Sequence, residues 1–154
     1  MDTTCGIYLV NNKNQILLVH PINAPKFMWS IPKGLMNKGE TYLDAALRET
    51  FEETNVKLDM NSPKIKRIME FELIKYKKTK KQLKAFALII DDDFSDETLK
   101  CTSTFDNRDK IKVPENDLVQ WFPLDFQTQA KYAHIKLHET QEMILEKVIK
   151  KLKK

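Results

Sequence analysis

A short stretch between Gly34 and Val56 carries most of the chemistry that this sequence offers. It contains four glutamates, Glu40, Glu49, Glu52 and Glu53. The last three are spaced i, i+3 and i+4, so on a helix their carboxylates project from one face as neighbours. Like charges at this spacing repel, and a divalent cation reverses the sign of that interaction. The spacing predicts a metal site, and the alternative is a solvated acidic face partly neutralised by Arg48.

The available ligand atoms narrow the choice of metal. The stretch offers oxygen ligands without a neighbouring His or Cys, which suits magnesium, manganese or calcium better than zinc or copper. Magnesium keeps several waters and readily shares substrate phosphates, so we expect an open site that the substrate helps to build. His134 and His138 are four residues apart, but neither a third ligand nor an intervening Glu supports a zinc site.

The element that must position these carboxylates is an amphipathic helix. From Tyr42 to Thr54 the apolar residues recur at steps of three and four, which predicts a helix with one buried face. Thr41 is the expected N-cap, and Asp44 three residues later completes a capping-box pattern and places a negative charge at the favourable end of the helix dipole.

This spacing resembles the signature box of the Nudix hydrolase superfamily. The matching residues are Gly34, Glu40, Arg48, Glu49, Glu52, Glu53 and Val56. Thr50 departs from the pattern at an apolar position, and Asn55 stands where the family usually has Gly; Asn tolerates the left-handed conformation expected there. The resemblance implies an α/β fold, a Nudix-type α/β/α sandwich with a mixed β-sheet, and a single Nudix hydrolase domain over residues 1–154.

The resemblance also implies roles for the box residues. Glu52 and Glu53 are the expected main metal ligands, together with the carbonyl of Gly34, and the expected metal is Mg²⁺ or Mn²⁺. Glu49 is a ligand or the general base. Arg48 orients the carboxylates and offsets their mutual repulsion.

An acidic residue outside the box often assists as a ligand or base in this superfamily. The candidates are Glu115, Asp117 and the cluster Asp91–Asp93, of which we choose Glu115 as a metal ligand. Glu40 has a structural role in this interpretation, binding the loop or an outer metal.

The residues that enter the box bear on the substrate. The run from Trp29 to Gly34 includes Pro32-Lys33-Gly34, an entry that is similar to that of the branch cleaving diadenosine tetraphosphate and related dinucleoside polyphosphates. Lys33 is then placed to meet a phosphate, with a structural loop lysine as the alternative. Trp29 either stacks on a base or packs under the loop.

The expected activity is metal-dependent cleavage of a phosphoanhydride bond in a nucleoside diphosphate linked to another group, above all a dinucleoside polyphosphate. Two alternatives remain: hydrolysis of a capped or triphosphorylated RNA end, and a non-catalytic nucleic-acid-binding module of the same fold. The lysine-rich run from Lys75 to Lys84 bears on both alternatives, because it could contact the phosphates of an RNA. The other interpretation of this run is a solvated hairpin tip. The cluster from Lys147 to Lys154 is interpreted as a solvated helix end.

Composition agrees with one enzyme domain. The chain has 154 residues and a net charge of +4, and its length suffices for one proper core. No apolar run approaches the roughly 20 residues of a membrane span, and the start lacks the basic opening of a signal peptide. We therefore expect a cytoplasmic protein without a membrane partner, in which Cys5 and Cys101 are buried or idle thiols.

The remaining elements are expected from periodicity and turn signals. A hairpin joins strands over 6–10 and 15–20, and a Pro-containing loop then precedes the box helix. Further strands are predicted over 65–71, with a continuation toward Tyr76 left open, and over 83–90 and 118–122. The segment 96–113 is predicted to be a loop. A closing amphipathic helix is predicted over 139–152.

Overall fold

The computed structural model describes residues 2–153 and contains a mixed sheet flanked by two main helices. The strands are β1 (Asp2–Val10), β2 (Gln15–Pro21), β3 (Lys33–Leu35), β4 (Ile65–Glu70), β5 (Ile74–Lys75), β6 (Lys81–Ile90), β7 (Thr104–Asp106), β8 (Lys112–Pro114) and β9 (Asn116–Pro123). The helices are α1 (Tyr42–Thr54) and α2 (Glu139–Leu152). Three short 3-10 turns lie in the connections.

The sheet is organised around β1. The strand order is β4-β6-β1-β2-β9, with β3 paired to β1 and β5 paired to β6. β1 and β6 run parallel, and the other pairs of this sheet are antiparallel. β7 and β8 form a separate hairpin that pairs only with itself among the described residues.

Alternation along β1 explains why the sheet is covered on both faces. Cys5, Ile7 and Leu9 belong to a core cluster with Ala45 and Ala46 of α1. Tyr8 and Val10, which point to the opposite face, belong to a second cluster together with Ile144, Leu145 and Val148 of α2. Side chains of a strand point alternately to opposite faces, so one central strand supports a helical layer on each side. The predicted α/β/α sandwich is confirmed.

Both predicted helices form with the expected bounds. The Thr41 hydroxyl accepts a hydrogen bond from the Asp44 N–H at 3.1 Å and caps α1. At the other end Asn55 has φ 67° and ψ 14°, the left-handed conformation expected at this position, and its N–H donates to the carbonyl of Phe51.

The strand predictions need two corrections. The entry to the box contains β3, although we expected only a loop there, and the segment 96–113 contains β7 and part of β8 rather than loop alone. These strands are three residues long, too short to show a hydrophobic period. β4 agrees with the strand predicted over 65–71, and the continuation toward Tyr76 is present as the separate short strand β5.

The described residues 2–153 include no helix that combines the length and the apolar character needed to cross a membrane.

Candidate active site

The close approach of β3 to α1 builds the floor of the candidate site. Gly34 in β3 pairs with Cys5 of β1 and lies directly against the carboxylate of Glu49. A Cβ added at Gly34 would collide with that carboxylate. Glycine at the start of the box is therefore required by the space that the Glu49 carboxylate occupies.

Arg48 holds three of the four box glutamates. Its Nε and Nη2 donate to the two oxygens of Glu40 at 2.8 and 2.9 Å, which is a bidentate pair. Its Nη1 donates to Glu49 at 2.9 Å and to Glu52 at 3.2 Å. Hydrogen bonding to these carboxylates, first of all to Glu40, raises the pKa of the guanidinium and lowers the pKa of Glu40. Arg48 thus offsets the repulsion between the carboxylates.

Glu40 closes the loop before α1. Its Oε1 accepts the N–H of Asn37 as well as the Arg48 contact, and Nη2 of Arg48 also donates to the carbonyl of Leu35 at 3.0 Å. These contacts tie both ends of the loop to the helix. Glu40 therefore fastens the loop, one of the two roles considered for it.

Glu53 lies at the buried end of the acidic group. Its Oε1 accepts the backbone N–H of Lys33 at 2.9 Å. Burial raises the pKa of Glu53 to about 8, the Lys33 N–H opposes the rise, and the nearby Glu49 adds to it. The pKa of Glu49 is also raised, first by burial and against the effect of Arg48. Glu52, by contrast, is 38% exposed at its side chain.

An arm formed by residues 98–116 brings in the acidic residue from outside the box. The carbonyl of Glu52 accepts the N–H groups of Thr102 and Ser103, the latter at 3.0 Å. The carbonyl of Ser103 in turn accepts the N–H of Glu115, whose own carbonyl accepts from Ile22. Glu115 reaches the box because the arm is fastened to the end of α1.

Part of this group lines a cavity of about 530 Å³, called the acidic cavity below, whereas Glu52 is not among the described residues that line it. Its wall contains three carboxylates, from Glu49, Glu53 and Glu115, together with Gly34 and the side chain of Lys33. The other lining residues are Thr4, Val19, Pro21, Ser30, Leu35, Asn37, Lys81, Phe105 and Asn116. Burial lowers the pKa of Lys33, and Glu53 opposes that change.

The residues present fit a divalent cation on the chemistry of their donors. The raised pKa values mean that the surroundings do not fully compensate these carboxylates when they are ionised, and a cation would do so; hard oxygen donors of this kind bind Mg²⁺ or Mn²⁺. Within residues 2–153, no three His, Cys, Asp or Glu side chains are already grouped as ligands around one point. Glu49 and Glu52 contact Arg48, and Glu53 contacts the Lys33 backbone.

A second cavity of about 740 Å³, called the basic cavity, lies beside the first. The two cavities share Thr4, Pro21, Ser30, Lys33 and Lys81. The basic cavity is lined by lysines of the β5–β6 hairpin, namely Lys75, Lys77, Lys78 and Lys81. Tyr76 and His138 also line it, with ring centroids 5.1 Å apart in an edge-to-face arrangement. A cation-rich wall beside aromatic rings suits a phosphorylated nucleoside.

Tyr76 and His138 were not predicted as site residues from the sequence. A zinc site at His138 was judged unsupported from the sequence, and in the structure His138 caps α2 by accepting the Thr140 N–H at 3.1 Å. Tyr76 interrupts the lysine run, and that interleaving of an aromatic residue with basic residues is the signal that could have found it.

Trp29 packs beneath the loop rather than lying free to stack on a base. Only 6% of it is exposed, and the rings of His20 and Phe122 meet it edge to face at 5.4 and 4.9 Å. It contributes to the lining of the basic cavity. The observed packing corresponds to one of the two roles considered for Trp29, and base stacking on it stays a prediction.

The other acidic candidates lie in other contacts. Asp117 contacts Nδ1 of His20 at 2.7 Å. Asp92 and Asp93 pair with Lys64 and Lys13, each at 3.0 Å. Of the candidates considered, Glu115 is the one that lines the acidic cavity.

The sequence matches the NUDIX domain family over residues 2–139. The chain therefore belongs to the NUDIX family, in agreement with its fold and with the arrangement of its box.

Curated relatives match over a shorter stretch. An RNA pyrophosphohydrolase of Pelagibacter ubique is 42% identical over 52 residues, which cover 34% of this chain and 33% of the relative. The m7GpppN-mRNA hydrolase dcap-2 of Caenorhabditis elegans is 39% identical over 69 residues, 44% of this chain and 9% of that protein. The matches span a third or less of the length of these relatives.

Solved structures agree with the fold over nearly the whole chain. A C. elegans Ap4A hydrolase aligns with a TM-score of 0.59 and 19% identity, covering 99% of this chain and 98% of the other. A bifunctional NMN adenylyltransferase/ADP ribose pyrophosphatase from Francisella tularensis aligns with a TM-score of 0.67 and 20% identity, covering 97% and 41%.

Proposed function

We propose that the protein is a metal-dependent pyrophosphohydrolase that cleaves a phosphoanhydride bond of a nucleotide, with a dinucleoside polyphosphate such as diadenosine tetraphosphate as substrate. The observation that carries the proposal is that a cavity with three carboxylates and a cavity with four hairpin lysines share Lys33 and Lys81 in their walls. A phosphate chain can then lie from the lysines to the carboxylates, with a nucleoside held beside Tyr76 and His138.

The acidic cavity supplies the reaction centre. Glu49, Glu52, Glu53 and the carbonyl of Gly34 are the proposed ligands of Mg²⁺ or Mn²⁺, with Glu115 as a further ligand. When bound, such an ion neutralises phosphate oxygens and lowers the pKa of a coordinated water. Hydrolysis of a phosphoanhydride needs both effects, because the attacked phosphorus is screened by negative oxygens.

In this scheme the chain's own residues orient the carboxylates, accept a proton and contact the phosphate chain. Arg48 keeps Glu49 and Glu52 in fixed orientations through hydrogen bonds of 2.9 and 3.2 Å. As the alternative to binding the ion, Glu49 can accept a proton from the attacking water at its carboxylate. Lys33 stands in the wall that both cavities share and contacts the phosphate chain.

An RNA end is the second candidate substrate. Two observations favour it: the curated relatives include RNA pyrophosphohydrolases, and Lys77 and Lys78 at the rim of the basic cavity have exposed side chains. Such lysines could contact the phosphates of a chain that extends beyond the cavity.

A substrate panel tests the proposal. We expect the protein with Mg²⁺ or Mn²⁺ to cleave diadenosine tetraphosphate faster than ADP-ribose, nucleoside triphosphates or capped RNA. Glu52→Gln should abolish cleavage, whereas Glu146→Gln, at an exposed position of α2, should not. Preference for 5′-triphosphorylated or capped RNA would favour the second candidate, and no metal-dependent cleavage of any substrate would favour a binding module.

A further inference from the structure

Phe105 is an exposed aromatic residue at the mouth of the acidic cavity. It is 41% exposed, and it lines the cavity that contains Glu49, Glu53 and Glu115. Within residues 2–153 it belongs to neither of the two hydrophobic core clusters. Phe105 is thus a partly exposed aromatic ring in a cavity wall that also contains three carboxylates, where a planar group of a ligand can reach it.

The backbone holds Phe105 in register with the carboxylates. Phe105 lies in β7, paired with Val113 of β8. Two residues before it, the N–H of Ser103 donates to the carbonyl of Glu52, and the carbonyl of Ser103 accepts from Glu115. The hairpin therefore begins on the end of the box helix and returns to the cavity wall, which limits movement of Phe105 relative to Glu52 and Glu115.

The two cavities present aromatic rings at different places. Tyr76 and His138 line only the basic cavity, Phe105 lines only the acidic cavity, and Lys33 and Lys81 line both. A ligand that occupies both cavities can contact an aromatic side chain in each of them, with two lysines in the shared wall and three carboxylates in the acidic cavity. This distribution suits a phosphate chain that carries a planar ring at each end.

We propose that Phe105 binds the second base of a dinucleoside polyphosphate, by stacking on it at the mouth of the acidic cavity. The inference rests on the proposed function and extends it, because it requires a substrate with two bases rather than one. The hairpin that carries Phe105 then determines specificity for the group on the far side of the metal-binding carboxylates. Phe105 has no part in activating water or binding the ion.

Two ligands that differ by one nucleoside test this proposal. Isothermal titration with Glu52→Gln protein, with Mg²⁺ present, compares diadenosine tetraphosphate with adenosine tetraphosphate. We expect Phe105→Leu in this background to weaken binding of the dinucleotide about tenfold, since loss of base stacking typically has this effect. Binding of the mononucleotide should change less than twofold. Phe105→Tyr keeps the ring and should restore the dinucleotide affinity.

Ile111→Ala provides the matched control, because Ile111 is 60% exposed on the same hairpin and does not line either cavity among the described residues. Equal weakening of both ligands by Phe105→Leu, or no weakening of either, would overturn the proposal, as would absence of dinucleotide binding. The titration is independent of turnover. If Phe105→Leu weakens binding of the dinucleotide alone, and the wild-type protein hydrolyses neither ligand, the proposed role of Phe105 is supported and the proposed reaction is rejected.

Discussion

The two cavities differ in how their charges are held. In the acidic cavity Glu49 and Glu53 are buried and fixed by Arg48 and by the Lys33 backbone. In the basic cavity the lysines extend from the tip of a hairpin, and Lys77 pairs with Glu139 at 3.5 Å with both side chains largely exposed. Buried charge is costly without a partner, whereas solvated charge costs little. The carboxylates of the acidic cavity are therefore fixed in position, but their charge is unfavourable without a partner. The lysines of the basic cavity attract anions without holding a fixed geometry.

The largest effect on activity should come from a substitution that displaces a carboxylate of the acidic cavity. Gly34→Ala places a methyl group on the Glu49 carboxylate, so we expect activity to fall roughly a hundredfold, as displacements of about 1 Å near reacting groups can do. Steady-state hydrolysis measures the loss. Gly39→Asn serves as the control, because Gly39 has φ +87° and a Cβ there meets nothing within 4 Å, and Asn tolerates positive φ. Full activity of Gly34→Ala would contradict the close approach described for β3 and α1.

The burial of Glu53 in the acidic cavity should make the free energy of unfolding depend on pH. The pKa of Glu53 rises from 4.5 to about 8 in the folded protein. Between these values the folded state binds more protons than the unfolded state, so stability falls as pH rises. Glu53→Gln removes this dependence and keeps an oxygen acceptor for the Lys33 N–H. In EDTA the variant should be more stable than wild type at pH 8, by an order of a few kcal/mol, and similar to it below pH 4.5.

Chemical denaturation over this pH range measures the difference between the two proteins. Excess Mg²⁺ should reduce it by binding the wild type preferentially. A constant difference at all pH values would mean that Glu53 does not titrate in this window. Glu53→Gln should nevertheless be inactive, so stability and activity should change in opposite directions.

The basic cavity should respond to salt. Lys77→Ala with Lys78→Ala should raise KM severalfold at low ionic strength by weakening attraction of the phosphate chain, and the effect should shrink at 0.5 M salt. Lys147→Ala with Lys150→Ala removes the same charge from α2, and neither residue lines the two cavities among the described residues. Equal effects from both pairs would indicate net charge rather than local contact. A much steeper salt dependence with RNA than with dinucleotide would favour the polymeric substrate.

The same contrast explains what could be predicted from the sequence. The box glutamates lie on one long helix, so their spacing in sequence determines their spacing in space. The 13-residue helix α1 and the 14-residue helix α2 also carry a clear hydrophobic period. Glu115 could be chosen only through a family resemblance, because its place depends on hydrogen bonds that fasten the arm 98–116 to Glu52.

Contacts between distant parts of the chain were not predictable from local pattern. The pairing of Tyr76 with His138 joins a hairpin to the start of α2, and no periodicity relates these residues. Phe105 lies in a three-residue strand inside a polar segment that resembled a loop. Such features depend on packing that is specified by the whole fold rather than by neighbouring residues.

Asn55 provides the smallest predicted effect and explains a departure from the family pattern. Its Nδ2 donates to the carbonyl of Thr98 at 2.8 Å, so the side chain that replaces the usual Gly fastens the arm to α1. Asn55→Gly should relieve the left-handed strain at φ 67° but lose this contact, leaving the unfolding free energy nearly unchanged. Asn55→Ala loses the contact and keeps the strain, so it should destabilise by about 1–2 kcal/mol. Equal thermal denaturation of the two variants would show that backbone strain at this residue is negligible.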